Sequence, residues 1–295
     1  MRIFLAGGTG FVGGHVRCAL LEQGHELRLL VHRKSVCREP GVELAEGDVT
    51  RPETYAAAVK GCDAVINLVG IIREFPAQGI IFERLHGEAT RALLGAARKA
   101  GARRFIQMSA LGTRPAAVSR YHQTKYRAEE EVRESGLNWT IFRPSVIFGP
   151  KDDFINRLAG LIRKLPAVPF IGDGSYRLQP IHAGDVARCF ASALEMPETV
   201  GKTFELCGMD RLTYLGLLET IARVLGRRKV RTVRIPLRFM ELITPHLQRF
   251  SFFPITMDQI RMLLEESVCD GCWRETFRFE PVGLEEGIRA YLGRS

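Results

Sequence analysis

The sequence predicts an α/β protein built on a doubly wound parallel sheet, with a smaller C-terminal region covering the substrate end. Three observations predict it. A strand-like apolar run, Arg2–Ala6, leads through Gly8, Gly10 and Gly13 into a helix-like stretch, Phe11–Gln23, which stops at Gly24. Strand-like and helix-like segments then alternate to about residue 150, a rhythm that implies parallel pairing through right-handed crossovers. Finally, the segments of unusual composition fall at the carboxyl ends of the expected strands, where such sheets bind ligands. These are Gly8–Gly13, Arg33, Asp48, Asn67–Gly70, Ser109 and Pro144.

The first motif is G-x-G-x-x-G at Gly8, Gly10 and Gly13, between a strand and a helix. Gly8 is expected to permit a tight turn out of the strand, and Gly10 to let the backbone approach a pyrophosphate. Gly13 lets the helix pack closely, so that amide donors and the helix dipole face the anion. The expected cradle is Gly7, Gly8, Thr9, Gly10, Phe11, Val12 and Gly13. A second strand, Glu26–Val31, ends in His32, Arg33 and Lys34. NAD sites usually place an acid there to hold the ribose 2′-hydroxyl, whereas arginine accommodates the 2′-phosphate of NADP. Arg33 and Lys34, with no acid beside them, favour NADP(H) over NAD(H).

Val42–Leu44 reads as a third strand running to Glu46, Gly47, Asp48 and Val49. Thr50-Arg51-Pro52-Glu53 has the pattern of a capping box with proline in the first turn, opening a helix to Lys60. Ala64–Val69 is a buried strand reaching Gly70, and a longer helix, Phe82–Ala100, is closed by Gly101. Arg104–Met108 is a strand with Ser109 at its end. A helix follows from Ser119 to Ser135, then a strand, Trp139–Arg143, leading to Pro144, Ser145 and Val146. The dinucleotide-binding domain is therefore placed at residues 1–150.

Beyond Pro150 the rhythm breaks. Helix Phe154–Leu165, the turn Gly172-Asp173-Gly174 and the segment Gln179–Asp185 lead into helix Val186–Glu195. Strand Phe204–Leu206, helix Thr213–Leu225 and an apolar stretch, Pro236–Pro254, follow, and prolines at 236, 245 and 254 forbid one continuous helix. Residues 151–295 are read as a mixed α/β substrate cover packed on the first domain.

Composition bounds the function. Hydrophobic content of 46% and charged content of 25% suit a soluble globular protein, and no apolar run approaches the length that spans a bilayer. Arg2 opens a strand rather than a signal peptide. The seven cysteines are odd in number and mostly single within apolar segments, which predicts reduced thiols in a cytoplasmic protein. Cys269 and Cys272 form one C-x-x-C without a second pair, and the histidines are scattered, so no metal is expected. The net charge of +9 favours anionic partners, a phosphorylated cofactor or an anionic membrane surface. Much of the excess is local, at Arg227, Arg228, Lys229, Arg231, Arg234 and Arg238. No nucleic-acid motif accompanies it, and nucleic acid is not an expected partner.

Tyr121 and Lys125 form Y-x-x-x-K on an expected helix, a spacing that puts both on one face. For a tyrosine of ordinary pKa to exchange protons near neutrality takes about 3–4 kcal/mol. A cation about 5 Å away supplies roughly 3 kcal/mol at an effective dielectric of 20. Lys125 is thus expected to tune Tyr121 as the proton donor, with Ser109 polarising a substrate carbonyl.

In order along the chain, Gly7–Gly13, Gly47-Asp48-Val49, Ser109, Tyr121 with Lys125, and Arg143–Pro150 resemble the landmarks of the short-chain dehydrogenase/reductase superfamily, in its extended and atypical branches. The resemblance implies a Rossmann fold in which Asp48 and Val49 flank the adenine and Lys125 holds the nicotinamide ribose. It also implies that Leu68, Val69 and Gly70 contact the cofactor, and that Pro144, Ser145 and Val146 line the nicotinamide. Gly172–Gly174 and Gln179–Asp185 resemble segments of sugar-nucleotide epimerases, in which Asp185 is expected to cap a helix. More narrowly, Asn67–Gly70, Ser109–Gly112 and Pro254–Gln259 resemble the atypical group containing the NAD(P)H-binding accessory subunit of respiratory complex I and bacterial proteins of nucleoside-diphosphate-sugar-epimerase type. One departure stands out. His86 occupies about the place of the superfamily's asparagine, and reads either as a polar relay or as a satisfied helix histidine.

Three functions fit these residues. The first is an NADP(H)-dependent oxidoreductase using Tyr121, Lys125 and Ser109 on a small, hydrophobic, quinone-like substrate. The second is a non-catalytic NAD(P)H-holding subunit or assembly factor of a respiratory-type complex. A nucleoside-diphosphate-sugar epimerase or dehydratase is the third, weakened by the missing acid after the second strand. Phe239–Phe253, beside the basic run, is expected to form an apolar pocket or exposed patch. That expectation includes peripheral association with an anionic membrane or a respiratory complex.

Overall fold

The structure, a computed structural model, describes residues 1–32, 39–250 and 253–293. Strands and helices alternate at first: β1 (Arg2–Ala6), α1 (Phe11–Glu22), β2 (Glu26–Val31), β3 (Val42–Glu46), α2 (Ala56–Val59), β4 (Ala64–Asn67), α3 (Ala89–Ala100), β5 (Arg104–Met108), α4 (Arg120–Arg133) and β6 (Asn138–Pro144). Shorter elements follow: β7 (Ile147–Phe148), α5 (Phe154–Lys164), β8 (Val168–Ile171), β9 (Arg177–Leu178) and β10 (Ile181–His182). Then come α6 (Ala183–Ala193), β11 (Lys202–Leu206), β12 (Leu212–Thr213), α7 (Tyr214–Val224), β13 (Thr232–Ile235), α8 (Leu237–Leu247), α9 (Met257–Leu264), α10 (Trp273–Phe277) and α11 (Leu284–Leu292). The chain forms two compact units. The first comprises Met1–Pro144, Ala183–Leu206 and Cys272–Arg278, and the second Ser145–His182, Cys207–Gly271 and the residues from Phe279 onward.

The first unit is a seven-stranded sheet in the order β11-β6-β5-β4-β1-β2-β3, parallel throughout. Its central strands are apolar on both faces, with Ile3, Phe4, Leu5, Val65, Ile66, Phe105 and Ile106 wholly buried. A parallel sheet covered on both sides requires this. The chain winds outward from β1 through β2 and β3, then returns to β4 on the other side of β1. That reversal opens a crevice at the carboxyl ends of β1 and β4, where doubly wound sheets take their ligands. The buried Arg104 ties the returning segment 183–206 to this sheet, donating to Thr140 Oγ1, Ala193 O and Thr199 Oγ1.

Two local expectations need correction. The capping box at Thr50 does not form. Thr50 donates both its N–H and its hydroxyl to Asp48 Oδ1 and accepts from Arg84 instead of a helix amide, and Pro52–Thr54 make a 3-10 turn, without a side-chain cap, before the four-residue α2. The expected helix from Phe82 to Ala100 is present, but Glu83–Glu88 form a π-helical turn before α3 begins.

In the second unit, α5, α7 and α11 enclose a core of Ile155, Leu158, Leu217, Ile221 and Ile288. A smaller cluster gathers Met240 of α8, Ile260 of α9 and Ile171. Pro245 lies inside α8, which ends two residues later. So late in a helix, the proline's missing donor and its ring clash affect a single turn. Three paired-strand ribbons, β7–β10, β9–β12 and β8–β13, complete the unit. Among the described residues, no helix is long and apolar enough to cross a membrane. No group of three His, Cys, Asp or Glu residues is placed to hold a metal among them either.

The cysteine expectation is overturned at one pair. Cys207 and Cys269 are joined in a disulfide, so Cys269 of the C-x-x-C is bonded to a residue 62 positions away and not to Cys272. Gln179 holds the same two strands of chain, donating to Gly208 O and accepting from Cys269 N–H. The parity of a cysteine count carries no signal for a single long-range pair. Closing a loop of that length removes denatured-state entropy worth roughly 4 kcal/mol. Replacing both cysteines by serine should lower the unfolding free energy by about that amount in non-reducing denaturant titrations. Unchanged unfolding in the double variant would show that the bond does not support the second unit.

Candidate functional site

The crevice begins at the glycine cradle. Gly7, not Gly8, makes the turn out of β1: its φ is +82°, and a Cβ there would lie 2.8 Å from the carbonyl carbon of Leu68. Gly8 is required by packing instead, since its Cβ would fall 2.3 Å from Leu29 Cδ1 and 2.7 Å from Leu5 Cδ2. At Gly13 the added carbon would sit 2.3 Å from Gly7 O, so helix and turn touch through backbone alone. Gly10 and Thr9 are exposed, and nothing comes within 3.4 Å of the Gly10 position. Helix α1 has no side-chain cap and no acid in its first turn. The amides of Phe11, Val12 and Gly13 therefore lack helical acceptors, and the positive end of the dipole stands beside them. A pyrophosphate fits that set of donors.

Arg33 and Lys34 lie outside the described residues. Asp48 follows β3, and burial opposes its charge. Two hydrogen bonds from Thr50, aided by His32 and Arg84, still hold its carboxyl below the usual range. Arg84, on the π-helical turn, donates to Thr50 Oγ1 at 3.0 Å, while Val49 is buried beside Asp48. Sequence reasoning did not identify Arg84, because only the fold brings that turn to β3.

Tyr121 and Lys125 stand one turn apart on α4, whose first turn is capped by Ser119 Oγ accepting from His122 N–H. Lys125 is 2% exposed, and its Nζ donates to Val69 O at 3.3 Å and Met108 O at 3.2 Å, just past β4 and at the end of β5. Burial pulls its pKa to about 8, with Glu129 acting in the opposite sense. Gly70 makes room for the ammonium, since a Cβ there would sit 2.9 Å from Nζ. Asn67, wholly buried, shapes the Leu68–Gly70 turn by accepting from Val69 N–H and donating to Gln107 and Thr90. Ser109 is buried at the end of β5, its N–H donating to Phe142 O and its hydroxyl 3.4 Å from Thr113 Oγ1.

Tyr121 does not carry the lowered pKa expected from its lysine. Burial pushes its phenol up to about 12. The ammonium is bonded to two backbone carbonyls, and desolvation of the ring is the larger effect. His86 lies across the tyrosine, the two rings edge to face at 5.3 Å. Its Nε2 accepts from Ile71 N–H, so the ring proton sits on Nδ1, which bonds Thr124 Oγ1 at 2.9 Å. Burial, reinforced by Lys125, takes its pKa to about 2. This imidazole is neutral and both nitrogens are engaged, which fits a positioning role better than a relay.

Glu129, a further turn along α4, was also missed. It is wholly buried, and accepts from Arg143 at 2.9 and 2.6 Å and from Arg133 at 2.7 Å. Its signal was present, for Tyr121, Lys125 and Glu129 repeat at i, i+4 and i+8. Pro144 ends β6 in the first unit, and its carbonyl accepts from Leu111 N–H. Ser145 and Val146 belong to the second unit, where Ser145 Oγ bonds Ser267.

The model of a family described as NAD(P)H-binding matches residues 7–197 of this chain. The chain belongs to that family. It is 32% identical over 237 residues to a ceramide reductase of Caulobacter vibrioides, covering 79% of this chain and 73% of that protein. To the mitochondrial NADH-ubiquinone oxidoreductase 40 kDa subunit of Neurospora crassa it is 27% identical over 287 residues, 95% of this chain and 74% of the relative. The crystal structure of UDP-glucose 4-epimerase from Thermotoga maritima superposes with a TM-score of 0.78 over 99% of this chain and 97% of that one. At 21% identity the latter speaks for the fold alone. The resemblance to the atypical group holding the complex I subunit is thus supported along nearly the whole chain.

In this NAD(P)H-binding protein the buried lysine has a measurable signature. Its folded pKa, about 8, lies below the roughly 10.4 of an unfolded lysine. Between those values the unfolded chain holds more protons, so Lys125 destabilises below pH 8 and ceases to do so as pH rises. The unfolding free energy of the wild type minus that of Lys125→Met should rise by about 2 kcal/mol between pH 8 and 10. A difference that stays flat across that window would refute burial as the cause.

Proposed function

We propose that this protein is an NADP(H)-dependent reductase acting on a carbonyl of a hydrophobic, long-chain or quinone-like substrate, with Tyr121 as proton donor. One observation carries the reading: Tyr121 and Lys125 are buried on one face of α4, with Lys125 Nζ bonded at the strand ends of the switch point. The bound dinucleotide would supply the hydride. Its pyrophosphate would rest on the Gly7–Gly13 cradle, with Asp48 and Val49 by the adenine, Lys125 on the nicotinamide ribose, and Leu68–Gly70 and Pro144 nearby. Arg33 and Lys34 would bind the 2′-phosphate. Tyr121, protonated at neutral pH, gives its phenolic proton to the carbonyl oxygen as negative charge develops there. Ser109 Oγ donates a hydrogen bond to the same oxygen, and the Lys125 cation stabilises the tyrosinate left behind. His86 and Thr124 hold the tyrosine ring in place. The similarity to a ceramide reductase supports the hydrophobic substrate.

A second reading has its own support. The relative from the NADH-ubiquinone oxidoreductase of Neurospora aligns with 95% of this chain, which suits a subunit that holds NAD(P)H without turning it over. The epimerase reading rests on the segments Gly172–Gly174 and Gln179–Asp185 and on fold likeness, and lacks an acid after β2.

Two experiments separate these readings. Tyr121→Phe should reduce NADPH oxidation by long-chain keto-lipids or quinones by about 100-fold or more, with NADPH affinity nearly unchanged. A substrate turned over normally by that variant would eliminate the mechanism. NADPH binding with no carbonyl-dependent oxidation by the wild type would select the holding subunit. For the cofactor, charge-assisted bonds to the 2′-phosphate predict NADPH bound about tenfold to a hundredfold more tightly than NADH. Arg33→Ala should remove most of that preference in calorimetric titrations, and equal affinities in the wild type would reject it.

A further inference from the structure

Residues 227–250, in the second unit, have no part in the reduction proposed above. They hold six arginines and one lysine against a single acid, Glu241, an excess that is two-thirds of the chain's net charge of +9. All seven cations are exposed. Large apolar side chains stand exposed among them: Val233 at 55%, Phe239 at 54%, Leu242 at 69% and Phe250 at 40%. Helix α8 shows how this arises. It buries Met240 and Thr244, with Ile243 packed on the Met240–Ile260 cluster. Phe239 and Leu242, three residues apart, share the opposite face, with Arg238 and His246 beside them. The same basic run borders a cavity of about 240 Å³, whose lining combines Ile162, Leu165 and Val168 with Arg227, Lys229 and Arg231.

An apolar face surrounded by cations matches an apolar phase beneath a layer of negative charge. A protein partner would be fixed in register by charges of both signs, and this stretch offers one acid. We propose that residues 227–250 dock the protein on an anionic phospholipid bilayer. The arginines and Lys229 meet lipid phosphates, one of them in the cavity bordered by Arg227, Lys229 and Arg231. Phe239, Leu242 and Phe250 enter the boundary between headgroups and acyl chains. The docking is independent of the chemistry of Tyr121, and it would bring a chain with no spanning helix among its described residues to a lipid phase.

The test is co-sedimentation of the full chain with vesicles of phosphatidylcholine alone, and of phosphatidylcholine with phosphatidylglycerol. Binding to the anionic vesicles should be at least tenfold tighter, and should weaken steeply at about 0.5 M salt. The triple variant Arg231→Gln, Arg234→Gln, Arg238→Gln should lose at least about thirtyfold in affinity. Phe239→Ser with Leu242→Ser should lose about tenfold even at low salt. Because these side chains are exposed, both variants should keep the wild-type melting temperature and NADPH affinity, which separates this test from that of the reductase. Equal affinity for neutral vesicles, or no affinity for either, would overturn the proposal. So would a dimer in sedimentation velocity that Phe239→Ser with Leu242→Ser abolishes, since the face would then serve a second copy of this chain.

Discussion

A buried ammonium group must find acceptors or give up its proton, and Lys125 finds Val69 O and Met108 O. Much of the first unit's geometry follows from that pairing. The two carbonyls stand at the carboxyl ends of adjacent strands, one just past β4 and one closing β5, so the lysine fixes α4 against that edge of the sheet. The approach requires glycine at 70, where any side chain would meet Nζ. It also requires the turn after β4 to be held in shape, which Asn67 does from beneath. One turn earlier on the same helix face stands Tyr121. One turn later, Glu129 supports the lysine's charge while being neutralised by Arg143 and Arg133. The π-helical turn brings His86 onto the tyrosine ring and its Nε2 onto Ile71 N–H, closing the same short segment from the other side.

The sheet was legible because a parallel sheet writes itself as contiguous apolar runs separated by amphipathic helices and glycine stops. β1, β2, β5 and α4 fall within about two residues of the expected positions. The Tyr121–Lys125 pair was legible because a helix repeat is local. Its acceptors were not, since Val69 O and Met108 O are backbone groups to which composition is blind. The turn was assigned to Gly8 rather than Gly7 for a related reason. The motif marks where glycines occur, but only the approach of Leu68 to one and of Leu29 to the other shows which meets the turn and which the packing. The π-helical turn has no counterpart in side-chain pattern.

The second unit was harder to read because its order is set by distant pairs. β8 pairs with β13 and β9 with β12 across long separations, in strands of two to four residues, too short for an alternating pattern to register. The disulfide and Gln179 together bind Cys207 and Gly208 to Cys269, a contact that neither cysteine spacing nor parity discloses. Within Pro236–Pro254 the apolar content was evident, yet its division into one buried and one exposed face of α8 depends on Ile260 and Ile171 supplying a cluster for Met240.

The electrostatics of the site follow from one cause. Burial raises the phenol of Tyr121 to about 12 and lowers the ammonium of Lys125 to about 8, so the same desolvation moves both groups toward their neutral forms. Tyr121 is thus held as the phenol, the protonated form that the reduction proposed above uses. The cost of forming tyrosinate falls due only when the proton leaves. In the proposed reduction a cation about 5 Å away would offset roughly 3 kcal/mol of that cost at an effective dielectric of 20. Glu129 keeps that cation available at neutral pH by opposing its deprotonation. The column thus places a neutral phenol at Tyr121 one turn from the Lys125 ammonium and two turns from the Glu129 carboxylate, itself paired with Arg143 and Arg133.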